Sequence, residues 1–107
     1  MLKQTRIESS KIRAAAKGQE CTLNIAGVCS YDDTTTVLCH LPDESHGVGR
    51  KSDDLSACFG CSSCHDALDR RSGGLPDDER EFYMRRAMVR TWRILVDMGI
   101  ISIKGVK

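Results

Sequence analysis

The feature that most constrains this chain is Cys61-Ser-Ser-Cys64-His65, a paired-thiol segment in a sequence of 107 residues that carries six cysteines in all. A two-residue gap lets both thiolates reach one tetrahedral zinc at about 2.3 Å. Such a site needs a second pair, and Cys21 and Cys29 are the natural partners. Their wider separation requires the chain to fold back between them. Cys58 has no partner at ligand spacing and reads as a small buried apolar residue. With only five aromatic residues to fill a core, one domain of this size gains much from a metal or disulfide staple. No apolar h-region opens the sequence, so the expected compartment is the reducing cytoplasm, where metal outranks disulfides. No run of about 18 apolar residues is present, and a membrane span is not expected.

The formal net charge of +1 conceals a strong asymmetry. Residues 1–20 carry five basic and two acidic side chains (net +3), and 85–107 carry six and one (net +5). Residues 31–54 carry two basic and six acidic side chains (net −4). Basic ends can grip phosphates while an acidic middle holds a cation.

The pattern along the chain predicts an α+β domain. A short helix is expected over 9–17, with Ser9 or Ser10 as its cap and Gly18 as its stop. Alternating apolar residues predict a strand over 21–29, and the β-branched run 34–40 predicts a returning strand. A long loop over 41–57 follows, then a helix over 62–71. A C-terminal helix about 77–98 begins at Pro76 with acidic residues in its first turn. Its surface divides into stripes: Phe82, Val89, Trp92 and Val96 on one, Ala87, Thr91, Ile94 and Leu95 on another. A helix apolar on several sides is buried or forms an oligomer seam. Ile100 to Ile103 could add a last strand.

Cys-x-x-Cys-His is also a haem-attachment signature, but haem needs export and a large apolar pocket. A thioredoxin-type redox pair needs a βαβ setting that the pattern lacks. His65 and Asp69, four apart, share one helix face and form a ready divalent-cation site. His40 closes the strand before the long loop, where a neutral imidazole can take a proton from water.

These features resemble the HNH, or ββα-metal, nucleases, in which a strand ends in the base histidine and a loop leads to a helix with metal ligands. More closely, the chain is similar to a family of small phage and prophage proteins assigned as nucleases. The matching stretches are Ile12-Arg-Ala-Ala-Ala-Lys-Gly-Gln-Glu-Cys21, Gly27-Val-Cys29, Val37-Leu-Cys-His40, Gly47-Val-Gly-Arg-Lys-Ser-Asp-Asp-Leu55 and Ala57-Cys-Phe-Gly-Cys-Ser-Ser-Cys-His-Asp-Ala-Leu-Asp-Arg-Arg71. The resemblance implies a ββα-metal core over about 20–72 with a zinc-stapled hairpin, flanked by an N-terminal helix and a long C-terminal one. It implies His40 as the base, and His65 and Asp69 as ligands of a catalytic Mg2+ or Mn2+ (or Zn2+). The four cysteines 21, 29, 61 and 64 would hold structural Zn2+. Cys39 stands where many members carry an acidic ligand; His46 and Asp54 are further candidate ligands, and Asp54 or Ser56 could orient the base. The expected activity is hydrolysis of DNA phosphodiester bonds, with Lys11, Arg13, Arg86, Arg90 and Arg93 as phosphate contacts. A homodimer through the C-terminal helix and a recombination protein are further expected partners. Two rivals remain open: a zinc-stabilised DNA-binding or adaptor protein without catalysis, and a purely structural dimer.

Overall fold

In a computed structural model, residues 5–42, 52–69 and 74–105 are described. In chain order these residues form α1 (Ser10–Ala15), β1 (Val37–His40), β2 (Ala57–Gly60), α2 (Ser62–Asp69) and α3 (Asp77–Asp97), with a 3-10 turn at Asp33–Thr35. The class is α+β. No described helix is long and apolar enough to cross a membrane.

Helix α1 starts where Ser9, in an extended conformation, accepts the Ile12 N–H on its hydroxyl at 3.2 Å. Capping side chains do this because the first turn of a helix has unpaired donors. Gly18, at φ +78, turns the chain away after the helix.

The hairpin is not the expected one. Residues 21–29 do not form a strand but a run of turns, with Asn24 at φ 42 and Gly27 at φ 75. Both Val28 and Cys29 donate their N–H groups to the Ile25 carbonyl, at 3.0 and 2.9 Å. Leu23 and Ile25 are buried and Asn24 is half-buried. That alternation mimics a strand, yet it arises from a knuckle that folds Cys29 back towards Cys21. Residues 34 and 35 belong to the 3-10 turn, which Asp32 caps through the Thr34 N–H at 3.1 Å.

The partner of β1 is β2, antiparallel, with Val37 opposite Gly60, Cys39 opposite Cys58 and His40 opposite Ala57. All four β2 residues are buried. Successive side chains of a strand face opposite ways, and β2 accordingly feeds two cores. Cys58 joins Leu23, Ile25, Cys39, Leu41, Leu68 and Ala87, whereas Phe59 joins Ile12, Ala15, Ala16 and Leu95. Gly60 is dictated by close approach, since a Cβ there would lie 2.7 Å from Cys39 Sγ and 2.9 Å from Leu23 Cδ1.

Among the described residues, the outer edge of β2 has no second strand. Thr22 supplies one bridge, its N–H donating to the Phe59 carbonyl at 2.8 Å. The Phe59 N–H is met by the buried hydroxyls of Thr22 (3.1 Å) and Thr91 (3.2 Å). Helix α3 thus packs on β2 through Ala87, Thr91 and Leu95, its buried residues. It ends in a Schellman turn: Gly99, at φ 75, donates to Val96, and Ile100 donates to Leu95. Ile100 and Ile101 then pack against the second core rather than extending as a strand.

Candidate metal centre and active site

The knuckle at 21–29 and the start of α2 bring Cys21, Cys29, Cys61 and Cys64 together, with all four sulfurs within 4.8 Å of one another. Cys29 and Cys61 are 3.9 Å apart. Tetrahedral zinc places its sulfurs about 3.8 Å apart, so this donor set fits zinc. Backbone N–H groups point at the sulfurs: Asn24 at Cys21 (3.4 Å), Ile25 at Cys64 (3.5 Å) and Cys64 at Cys61 (3.5 Å). Burial pushes the Cys61 thiol up, but hydrogen bonds from Ser30 and from the Cys64 backbone prevail and hold it at about 6. Burial raises Cys64 and Cys29, and the neighbouring thiols add to it. Four crowded thiols cannot all ionise alone, whereas a dication stabilises all four as thiolates. The cluster could hold a metal such as zinc.

The other two cysteines stand apart. Cys39 and Cys58 are fully buried, and contact with Cys39, then burial, pushes the Cys58 thiol upward. As His40's neighbour on the strand, Cys39 faces the core on the opposite side.

Arginines of α3 brace the knuckle. Arg86 Nη2 donates to the carbonyls of Leu23 (3.0 Å) and Asn24 (3.3 Å). Its guanidinium lies over the rings of Phe82 and Tyr83, at 5.3 and 5.0 Å. Arg90 Nη1 reaches the Thr22 carbonyl at 3.5 Å. These two expected phosphate contacts are therefore directed at backbone carbonyls, while Lys11 and Arg93 are exposed.

At the far end of β1, His40 Nε2 lies 2.8 Å from Asp54 Oδ1. The Asp54 side chain is wholly buried. Its second oxygen accepts the Ser9 N–H (2.7 Å) and Arg13 Nε (3.0 Å), and Arg6 Nη2 lies 3.7 Å from the first. Burial alone would raise the Asp54 carboxyl, but the His40 and Ser9 hydrogen bonds and the Arg13 charge outweigh it and hold it below its ordinary value. An ionised carboxylate only accepts, so Nε2 of a neutral His40 carries the proton and Nδ1 is the unprotonated ring nitrogen. Nδ1 is the atom able to take a proton from water. The segment before α1 locks the arrangement: Ile7 pairs with Asp53 Oδ1 and the Asp54 N–H, at 2.8 and 2.9 Å, and Arg6 Nε meets the Ser52 carbonyl at 3.0 Å.

His65 and Asp69 meet on α2, Nε2 to Oδ2 at 3.2 Å, and both are well exposed. Cys64 and Leu68 are the buried residues of that helix. Among the described residues, the four cysteines are the only group of three or more candidate metal-binding side chains. Also among the described residues, no hydrogen bond or ion pair joins His65–Asp69 to His40–Asp54. His46 lies outside the described residues.

Sequence reasoning missed Arg6 and Ser9 as anchors of Asp54. Only the basic character of the N-terminal segment pointed there, and the contact spans more than forty residues of chain.

Comparison with known proteins agrees with this architecture. A solved Escherichia coli chain, described as a "putative bacteriophage protein", superposes with a TM-score of 0.67 at 35% identity, covering 83% of this chain and all of that one. Relatives in Escherichia coli and Enterobacteria phage 82, both named "Putative nuclease YbcO", are 37% identical over 92 residues, or 85% of this chain and 96% of theirs. The family described as "Putative nuclease YbcO" matches residues 10–100, and the chain belongs to that family.

Proposed function

We propose that this chain is a divalent-metal-dependent endonuclease of the HNH, ββα-metal type that hydrolyses DNA phosphodiester bonds during phage or prophage DNA processing in the host cytoplasm. The observation that carries this reading is the His40–Asp54 pair, in which a buried carboxylate holds Nε2 of His40 at the end of β1. Family membership supports it, as does the element order β1, β2, α2 with a thiolate site at the head of the helix.

His40 Nδ1 would remove a proton from the attacking water, and Asp54 would hold the ring and stabilise the imidazolium that forms. His65 and Asp69 would hold Mg2+ or Mn2+ (or Zn2+), which when bound stabilises charge on the scissile phosphate and the leaving oxygen. Lys11 and the outer edge of Arg13, both on α1, would meet flanking phosphates. The cysteine site would fix the start of α2 and so aim His65.

A second reading, a non-catalytic zinc-held DNA-binding or adaptor module, is favoured by one observation: His65 and Asp69 form a two-ligand set. DNA nicking in Mg2+ or Mn2+ separates the two, with His40→Ala purified in parallel to control for contaminants. The nuclease reading expects nicking by the parent alone, at equal zinc content. Equal behaviour of the two proteins, with DNA affinity retained, favours the binding module.

A further inference from the structure

Arg6 and Arg13 share the same two carboxylate neighbours. Arg13 Nε meets Asp54 Oδ2 at 3.0 Å, and Arg6 Nη2 lies 3.7 Å from Asp54 Oδ1. On the other side, Arg6 Nη1 donates to Glu8 Oε1, and Arg13 Nη2 lies 3.8 Å from that same oxygen. The four side chains close a ring of alternating charge, and Asp54 joins it to His40.

The two carboxylates are held very differently. Asp54 is wholly buried and is tied to Ser9, Arg13 and His40 by hydrogen bonds. Glu8 is 58% exposed, and among the described residues its carboxylate accepts one hydrogen bond, from Arg6. Arg13 Nη2 stands beyond hydrogen-bond reach of it. Exposed ion pairs of this kind contribute little and exchange readily. A phosphodiester carries the same single negative charge as Glu8. Its two non-bridging oxygens can each accept from a different guanidinium, which one oxygen of Glu8 does not achieve.

We propose that Arg6 and Arg13 form a site for a DNA backbone phosphate beside His40, which Glu8 occupies until the phosphate displaces its carboxylate. The proposal takes its ligand from the nuclease reading and rests on it. The exchange conserves charge and breaks no covalent bond: the Glu8 carboxylate turns into solvent and a phosphate monoanion replaces it. Arg13 keeps its Nε on Asp54 throughout, so the ring of His40 stays oriented while the strand is held. Arg6 becomes a phosphate ligand, and Glu8 a competitor that sets how tightly the free protein takes up DNA.

Fluorescence anisotropy of the full zinc-loaded chain tests this, with labelled single-stranded and duplex DNA, over a salt series and without added Mg2+ or Mn2+. Glu8→Gln should tighten binding about threefold, the scale of one exposed ion pair. It should also steepen the salt dependence, because the freed guanidiniums then shed counterions rather than a carboxylate. Arg6→Gln and Arg13→Gln should each weaken binding, and in either background Glu8→Gln should gain nothing. Asp97→Asn removes an exposed charge from the end of α3 and measures the effect of net charge alone, which should be smaller and should persist in Arg13→Gln. Zinc content and melting temperature verify folding, and Arg13, at 47% exposure, carries the test if Arg6→Gln unfolds the chain. A Glu8→Gln variant that binds no tighter than Asp97→Asn overturns the proposal, as does a gain that survives in Arg13→Gln; DNA binding by the parent then leaves the nuclease reading standing. A parent without DNA affinity overturns both.

Discussion

His40 Nε2 and Asp54 Oδ1 lie 2.8 Å apart, and the carboxylate is buried while the imidazole is 26% exposed. The pair is oriented from the protein side and open on the solvent side, the disposition a general base requires. Asp54→Asn keeps the shape but removes the charge and offers an amide donor, so the ring no longer has to protonate Nε2. Cleavage should fall roughly 100-fold or more, on the scale of general-base contributions. Single-turnover rates with end-labelled DNA measure this, and loss in the rate rather than in DNA affinity is the expected pattern.

Acid should weaken the fold through the same residue. The Asp54 carboxyl is held below its ordinary value, so its stabilisation is complete above the usual carboxylate range and is lost as pH falls through the depressed native value. Urea denaturation as a function of pH should show an acid decline in stability that is shallower in Asp54→Asn. The difference between the two proteins isolates this contribution from the protonation of the cysteines. Equal acid slopes would contradict it.

Zinc should be a folding ligand. The knuckle at 21–29 is closed by the Val28 and Cys29 hydrogen bonds to the Ile25 carbonyl, and a metal held by Cys21, Cys29, Cys61 and Cys64 would tie it to the head of α2. Apparent binding energies of structural zinc are on the order of 10 kcal/mol. One zinc per chain is expected by elemental analysis, and chelation should lower the melting temperature steeply. Cys29→Ser should lose the metal, whereas Cys58→Ala should retain it and show only a packing defect.

Arg86→Ala should destabilise the protein by about 1–3 kcal/mol, the range for a hydrogen-bonded charge that also stacks on aromatic rings. DNA affinity should change less than in Lys11→Ala. Urea denaturation and fluorescence anisotropy check the two halves of this expectation.

Sequence alone located the four cysteines, the three helices and the strand ending at His40, because cysteine spacing and helix caps are local signals. It misplaced the hairpin. Leu23-Asn24-Ile25 alternates as a strand does, but the left-handed residues Asn24 and Gly27 bend the segment into a knuckle, and Ala57-Cys-Phe-Gly60 is too short and small to announce itself as β2. The tie between Asp54 and Ser9 was illegible for a different reason. Nothing local in residues 6–13 signals that their donors converge on a carboxylate more than forty positions away. Arg86 shows a third limit, since a helical arginine that braces backbone carbonyls has the same sequence signature as one that waits for phosphate.

The most direct test of the central claim is chemical rescue of His40→Ala in single-turnover DNA cleavage with Mg2+ or Mn2+. The parent should cleave, the variant should lose at least about 100-fold in rate, and added imidazole should restore part of it without changing zinc content. A variant that cleaves at the parent's rate would contradict the assignment of His40 as the base.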